Sequence, residues 1–197
     1  MNVVGLLAFA VAGSLKASDA GLDLFGVAVL GVLTALGGGT VRDVLVNRPP
    51  ASLTTTGDMT VALVGVALAV VLARRAPEHV RILDSRAFLV SDAVGLAAFA
   101  ATGALVGTDA GLAPYGVVVL AAVTAVGGGS FADVFLGRVP VVLREDFYAT
   151  PALLGGGVFL FARVVGAPTG VSAGACAGVV FALRMLALRR EWRLPQV

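Results

Sequence analysis

VGLLAFAVAGSLKASDAGLDLFGVAVLGVLTALGGGTVRDV, residues Val4–Val44, returns ninety positions later as VGLAAFAATGALVGTDAGLAPYGVVVLAAVTAVGGGSFADV, residues Val94–Val134. Residues 1–50 align with 91–140 without a gap at 25 identities. The register continues further, where Thr60, Ala62, Leu63 and Gly65 match Thr150, Ala152, Leu153 and Gly155. Shared FA, DAGL, TA, GGG and D landmarks at one fixed offset mark a duplicated structural unit.

Composition says what solvent that unit lives in. Of 197 residues, 58% are hydrophobic and 13% charged, with a mean hydropathy of +0.99. Soluble domains run nearer ~45–50% apolar and ~25% charged. Too little polar surface is left to cover a water-exposed globule, which excludes a soluble enzyme, a disordered chain and a disulfide scaffold. The chain reads as an all-α membrane protein in contact with lipid. A membrane helix needs ~20 mostly apolar residues. The uncharged runs, extended over flanking charges, predict seven transmembrane helices at 2–18, 24–46, 58–74, 90–107, 114–136, 148–166 and 170–188. An outer-membrane barrel would show ~10-residue alternating segments instead.

Each repeat holds three helices, and an odd number forces the second copy to enter the membrane from the opposite side. The expected architecture is two inverted three-helix repeats plus a seventh helix. The division is 1–76 for the first repeat, 77–89 for a basic cytoplasmic loop, 90–166 for the second repeat, and 167–197 for the seventh helix and tail. With the C-terminus cytoplasmic, 11 Lys and Arg residues fall inside and 3 (Arg42, Arg48 and Arg163) outside. The excess predicts an external N-terminus and a cytoplasmic C-terminus in the plasma membrane. The pI near 9.2 therefore reports orientation, with no nucleic acid implied.

Other residues add little. Met1–Ala17 has the apolar length of a signal-peptide core, but it lacks a basic leader and its repeat makes it a structural helix. Cys176 has no second cysteine to pair with and reads as a small buried packer. Trp192 follows the last helix as an interfacial aromatic. His79, the single histidine, lies in the basic loop without a nucleophile, base or metal-ligand partner in sequence, so no enzyme and no cofactor is expected.

The second helix of each repeat carries Gly37, Gly38 and Gly39 or Gly127, Gly128 and Gly129. Each glycine costs ~1 kcal/mol of helix propensity relative to Ala. Three in a row at mid-helix predict a kinked or unwound segment, which in lipid is tolerated only against protein or a water-filled cavity. Interrupted helices at matched places in inverted repeats point to a permeation or binding site. The two GGG segments are expected to face each other across a central path. A Leu at Gly38 or Gly128 would then block transport while leaving assembly intact. The hydroxyls of Thr34, Thr40, Thr124 and Ser130 either satisfy freed backbone groups or line that path. Gly170, Gly174 and Gly178 in the last helix, and Gly103, Gly107 and Gly111, read as close-packing positions.

Asp43 and Asp133 lie four residues beyond the last glycine of each triplet, one helical turn on and on the same face. A carboxylate within a membrane segment costs at least ~2.5–3.5 kcal/mol and is a functional candidate by default. Two cations break the symmetry: Arg42 is matched by Ala132, and Lys16 by Val106. Arg42 pairs with Asp43 or with Asp133. Because adjacent helical residues point ~100° apart, an acid on another helix is the expected partner. Asp19 and Asp109, in the DAGL turns, are expected to be loop residues that start the next segment.

The pattern G-x-x-A-F-A-x-x-G, D-A-G-L and T-A-x-G-G-G-x-x-R-D, repeated after ninety residues, resembles the prokaryotic TRIC-type family of trimeric intracellular cation channels, also labelled a glycine-transporter-like domain. That resemblance covers both repeats and the last helix. It implies a homotrimer with one pore per protomer between the repeats, second and fifth helices kinked at the glycines, and permeation by monovalent cations, chiefly K+ with some Na+. The matching positions are Gly37–Gly39, Gly127–Gly129, Arg42, Asp43 and Asp133. The second copy departs at Ala132. The fourth helix lacks the lysine-rich pattern on which voltage or phosphoinositide gating of animal members depends. A cation channel is the reading these residues favour. A secondary transporter of a small zwitterion such as glycine uses the same architecture and stands as the alternative.

Overall fold

Short turns punctuate long apolar runs, and the helices follow them. The computed structural model describes residues 2–75, 83, 85–144, 147–190 and 192. Among these are α1 (Asn2–Asp19), α2 (Leu24–Leu45), the four-residue α3 (Ala51–Thr54), α4 (Thr56–Arg75), α5 (Arg86–Asp109), α6 (Pro114–Phe135), α7 (Ala149–Val164) and α8 (Thr169–Arg190), with a 3-10 turn at Val141–Leu143. The segment holding His79 lies outside the described residues. Five helices, α2, α4, α5, α6 and α8, are long and apolar enough to cross a bilayer, whereas α7 has only 16 residues. Large apolar side chains stand on the outer surface, among them Phe25, Phe135, Phe161 and Val164. A soluble monomer rarely exposes such a surface, and the protein is a multi-pass helical membrane protein.

The helix boundaries have local causes. Asp23 caps α2 by accepting the Gly26 N–H at 2.8 Å, and Ser85 caps α5 by accepting the Phe88 N–H at 3.2 Å. Pro114 opens α6, where its missing N–H costs nothing. Asp19 and Asp109 are the last residues of α1 and α5. This corrects the expectation that they start the following segments. The reversal falls at Gly21 (φ 75°) and Gly111 (φ 69°), a left-handed conformation that glycine adopts without steric cost. Gly111 is thus a turn residue with open space around it, whereas Gly103 and Gly107 do pack, against Leu120–Thr124 and Val117 of α6.

The centre of the molecule is reciprocal. The Phe9 and Phe99 rings, ninety residues apart, lie 5.2 Å centre to centre. Phe99 covers Gly5 at 3.2 Å from where a Cβ would stand, and Phe9 covers Gly95 in the same manner. The same reciprocity joins α2 to α6, where a Cβ on Gly38 would strike the carbonyl oxygen of Thr124 and a Cβ on Gly128 that of Thr34. Contacts in which residue i meets j and the counterpart of j meets that of i are the signature of a two-fold relation. Because Thr34 meets Gly128 while Gly38 meets Thr124, α2 and α6 cross antiparallel.

Both triplets sit inside unbroken α-helix, which corrects the expected unwinding. The physical reason is close approach: without side chains, the two backbones touch, and tertiary packing overrides the poor helix propensity of glycine. A Cβ on Gly127 would stand 3.0 Å from the Gly38 Cα, so the triplets meet directly and no open path separates them at this level. At Gly170, Gly174 and Gly178 a Cβ would meet open space, so no close approach within the described residues requires glycine there.

Candidate functional site

Beyond the crossing, each of α2 and α6 ends in a buried carboxylate with one geometry. Asp43 Oδ2 accepts the Ala51 N–H at 3.0 Å, and Asp133 Oδ2 accepts the Val141 N–H at 2.9 Å. Both amides lie just after a proline that turns the chain back, and these two bonds fix where each carboxylate sits. The antiparallel crossing places Asp43 and Asp133 on opposite sides of the glycine contact.

Each remaining carboxylate oxygen holds a cation, and the two cations come from different places. Arg42 donates from Nε to Asp43 Oδ1 at 2.8 Å, with Nη2 at 2.7 Å. Lys16 Nζ, from α1, donates to Asp133 Oδ1 at 2.8 Å. Arg42 thus pairs with its sequence neighbour, not with an acid on another helix. The ~100° offset between adjacent side chains is bridged by the length of the arginine, and Asp133 is already taken by Lys16. All four side chains are at most 9% exposed. Charges so buried are tolerated because they are paired and hydrogen-bonded.

With both helices unbroken there are no freed backbone groups for the hydroxyls to satisfy, and they bond instead to carbonyls of intact helix, Thr40 also meeting the Ser52 hydroxyl at 3.1 Å. Thr34 and Thr124 donate to the carbonyls of Leu30 and Leu120 at 2.6 Å, and Thr40 and Ser130 to those of Leu36 and Val126 at 2.9 Å. All four bond one turn back on their own helix. Of the glycines, Gly37, Gly38, Gly127 and Gly128 form the crossing. A Cβ on Gly39 would stand 3.7 Å from the Arg42 guanidinium, and one on Gly129 3.0 Å from the Tyr148 hydroxyl.

A cavity of about 460 Å³ opens at the Asp133 end, with the carboxylates of Asp92 and Asp133, the Tyr148 hydroxyl and four cations, Lys16, Arg138, Arg144 and Arg184, on its border. Three of these residues went unrecognised in the sequence. Tyr148 donates to Asp92 Oδ1 at 2.9 Å; Arg184 of α8 lies over the Tyr148 ring at 4.7 Å, reaches Asp92 Oδ2 at 3.8 Å and donates to the Phe147 carbonyl at 3.2 Å. The cluster ties α8 to the repeated helices. Its signal was faint but present: Asp92 and Arg184 both stand inside apolar helical runs. The counterpart contact, ninety residues earlier, is Asn2 donating to Asp58 at 3.1 Å. Tyr148→Phe removes a buried hydrogen bond to a carboxylate, a loss of about 2 kcal/mol. A melting temperature lowered by roughly 4–8 °C in detergent is expected; an unchanged one would show that the bond adds nothing.

The fold defines a helical multi-pass membrane protein built around two helices crossing at glycine. Residues 1–74 and 89–164 match a family model described as glycine transporter. The chain belongs to that family, the prokaryotic TRIC-type proteins. It is 39% identical to a UPF0126 membrane protein of Deinococcus radiodurans over 99% of this chain and 89% of the relative. It is 36% identical to the UPF0126 inner membrane protein YadS of Escherichia coli K12 over 99% and 93%. A solved structure concerned with conductance through TRIC cation channels superimposes with a TM-score of 0.88 at 34% identity, covering 100% of this chain and 95% of that one. The TRIC trimeric intracellular cation channel orthologue from Rhodobacter sphaeroides gives 0.88 at 33%, covering 97% and 96%.

Proposed function

We propose that the protein is a K+-permeable monovalent cation channel of the TRIC type, with one pathway per protomer between the two halves at α2 and α6. The observation that carries this reading is the full-length likeness to TRIC cation channels at a TM-score of 0.88. The two buried carboxylates, one on each side of the glycine crossing, support it, since anionic groups along a path concentrate cations and offset their dehydration. The conformation described is closed, with backbone against backbone at Gly38 and Gly128.

In this reading α1 and α7 also cross the bilayer, giving seven spans, and residues 1–76 and 90–166 are inverted repeats related by the two-fold contacts around Phe9 and Phe99. The basic segment 77–89 and the tail face the cytoplasm, the N-terminus faces outward, and the host is the plasma membrane. A homotrimer is proposed on the likeness to a solved trimeric channel; the unoccupied Gly170–Gly174–Gly178 face of α8 offers a surface for close helix contact. Lipid and permeant K+ and Na+ are the only partners required, and no enzymatic step or cofactor is involved.

The test is purified protein in a planar bilayer, with parallel proteoliposomes for labelled glycine uptake. Unitary currents in KCl without glycine are expected. Saturable, gradient-driven glycine uptake without resolved currents would overturn the channel in favour of the transporter.

A further inference from the structure

We propose that Asp133 is a monovalent-cation site that the protein fills with its own Lys16 ammonium, a tethered competitor of the permeant ion at the cavity end of the pathway. The inference rests on the channel reading and adds the occupant that regulates it.

The argument begins with what does and does not follow the repeat. The carboxylates recur at the ninety-residue offset, as do their backbone bonds to Ala51 and Val141. The cations do not recur, since Arg42 is matched by Ala132 and Lys16 by Val106. Two equivalent carboxylates are therefore neutralised by different groups approaching from different elements, a guanidinium from the same helix and an ammonium from α1. The carboxylate position is set by backbone, and the cation is the interchangeable part. An alkylammonium head carries the same single positive charge as a K+ ion, so the oxygen that holds the one is an anionic contact open to the other once it is vacated.

The two ends differ in how firmly the cation is held. Arg42 engages Asp43 through two nitrogens, a rigid forked contact. Lys16 makes a single contact through Nζ, at the end of a flexible four-carbon stem. It borders the 460 Å³ cavity, which gives the ammonium space to withdraw into. When it leaves, Asp133 keeps its bond to Val141 and presents one bare oxygen to an entering ion. Gly129, one turn from Asp133, is covered at this end by the Tyr148 hydroxyl.

The experiment is Lys16→Gln, with Lys16→Met as a second neutral variant that keeps the apolar stem. Each is compared with the wild type and with Lys16→Gln/Asp133→Asn. Melting temperature is read across a KCl series at constant ionic strength, balanced with N-methylglucamine chloride. A ligand that binds only the folded state raises its stability with concentration. Either neutral variant should gain roughly 5 °C between low and high K+, while the wild type and the double variant stay flat. In planar bilayers the neutral variants should carry about tenfold more K+ current than the wild type. A flat melting temperature in the folded neutral variants, or a current equal to that of a conducting wild type, overturns the proposal. Potassium-dependent melting with no current from any of the four proteins would instead leave the site standing and remove the channel reading beneath it.

Discussion

Gly38→Ala and Gly128→Ala are each expected to cost the protein most of its stability in detergent, with a melting temperature lowered by roughly 10 °C or more. The added methyl would overlap the carbonyl oxygen of Thr124 or of Thr34. That oxygen belongs to a helix backbone and cannot rotate aside as a side chain would. Overpacking costs ~1–3 kcal/mol where side chains can adjust and more where they cannot, and each kcal/mol moves a domain of this size by ~2–4 °C. The contrast lies within the same triplet. Gly39→Ala meets nothing closer than the Arg42 guanidinium at 3.7 Å, and Gly57→Ala in α4 meets open space; both should be neutral or slightly stabilising, because alanine is the better helix former. Gly38→Ala melting within 2 °C or so of Gly39→Ala would refute the close crossing. It follows that Gly38→Leu will not act as a clean block of permeation, since the helices must part before the side chain fits.

Neutralising the two carboxylates should produce the largest change in permeation. Asp43→Asn and Asp133→Asn each remove an anionic group from one end of the proposed path, so conductance falls and the KCl reversal potential under a salt gradient moves toward that of a non-selective pore. Arg42→Ala should act in the opposite direction, because it frees Asp43 from its guanidinium and makes the first half resemble the second, which has Ala132. Asp133→Asn carries an added penalty: it strands the Lys16 ammonium in a buried position, and breaking such a pair costs ~3–5 kcal/mol. Folded yield is therefore checked by size exclusion before currents are compared. Identical reversal potentials and conductances in the wild type and all three variants would make these charges structural.

The repeat was legible because its two copies keep identical residues in one ninety-residue register, and the helices fell within a few residues of where the uncharged runs place them. The state of the glycines was not legible. Propensity is a local quantity and argues for unwinding at Gly37–Gly39, but the contact that stabilises the helix there is made by Gly128, ninety residues away in the chain. The same limit hid the partner of Asp133. Lys16 stood out as a break in symmetry, yet nothing local joins it to a carboxylate 117 residues later. Arg42 misled in the other direction: angular spacing on a helix governs where Cβ atoms point, and an arginine is long enough to fold back on its neighbour. Asp92, Tyr148 and Arg184 come from three separate segments, so only the assembled bundle shows them as one cluster.

The placement of the cations also bears on how such a chain can be divided. Both neutralising residues, Arg42 and Lys16, belong to the first half, while each half contributes one carboxylate. A pair of second halves, inserted in opposite orientations, would bury two carboxylates with no resident counter-charge. The halves are therefore complementary in charge: the first holds one cation more than its own carboxylate takes, and the second holds the carboxylate that this ammonium neutralises. Co-expressed as separate fragments, the two halves should complement each other, whereas two copies of the second half should not.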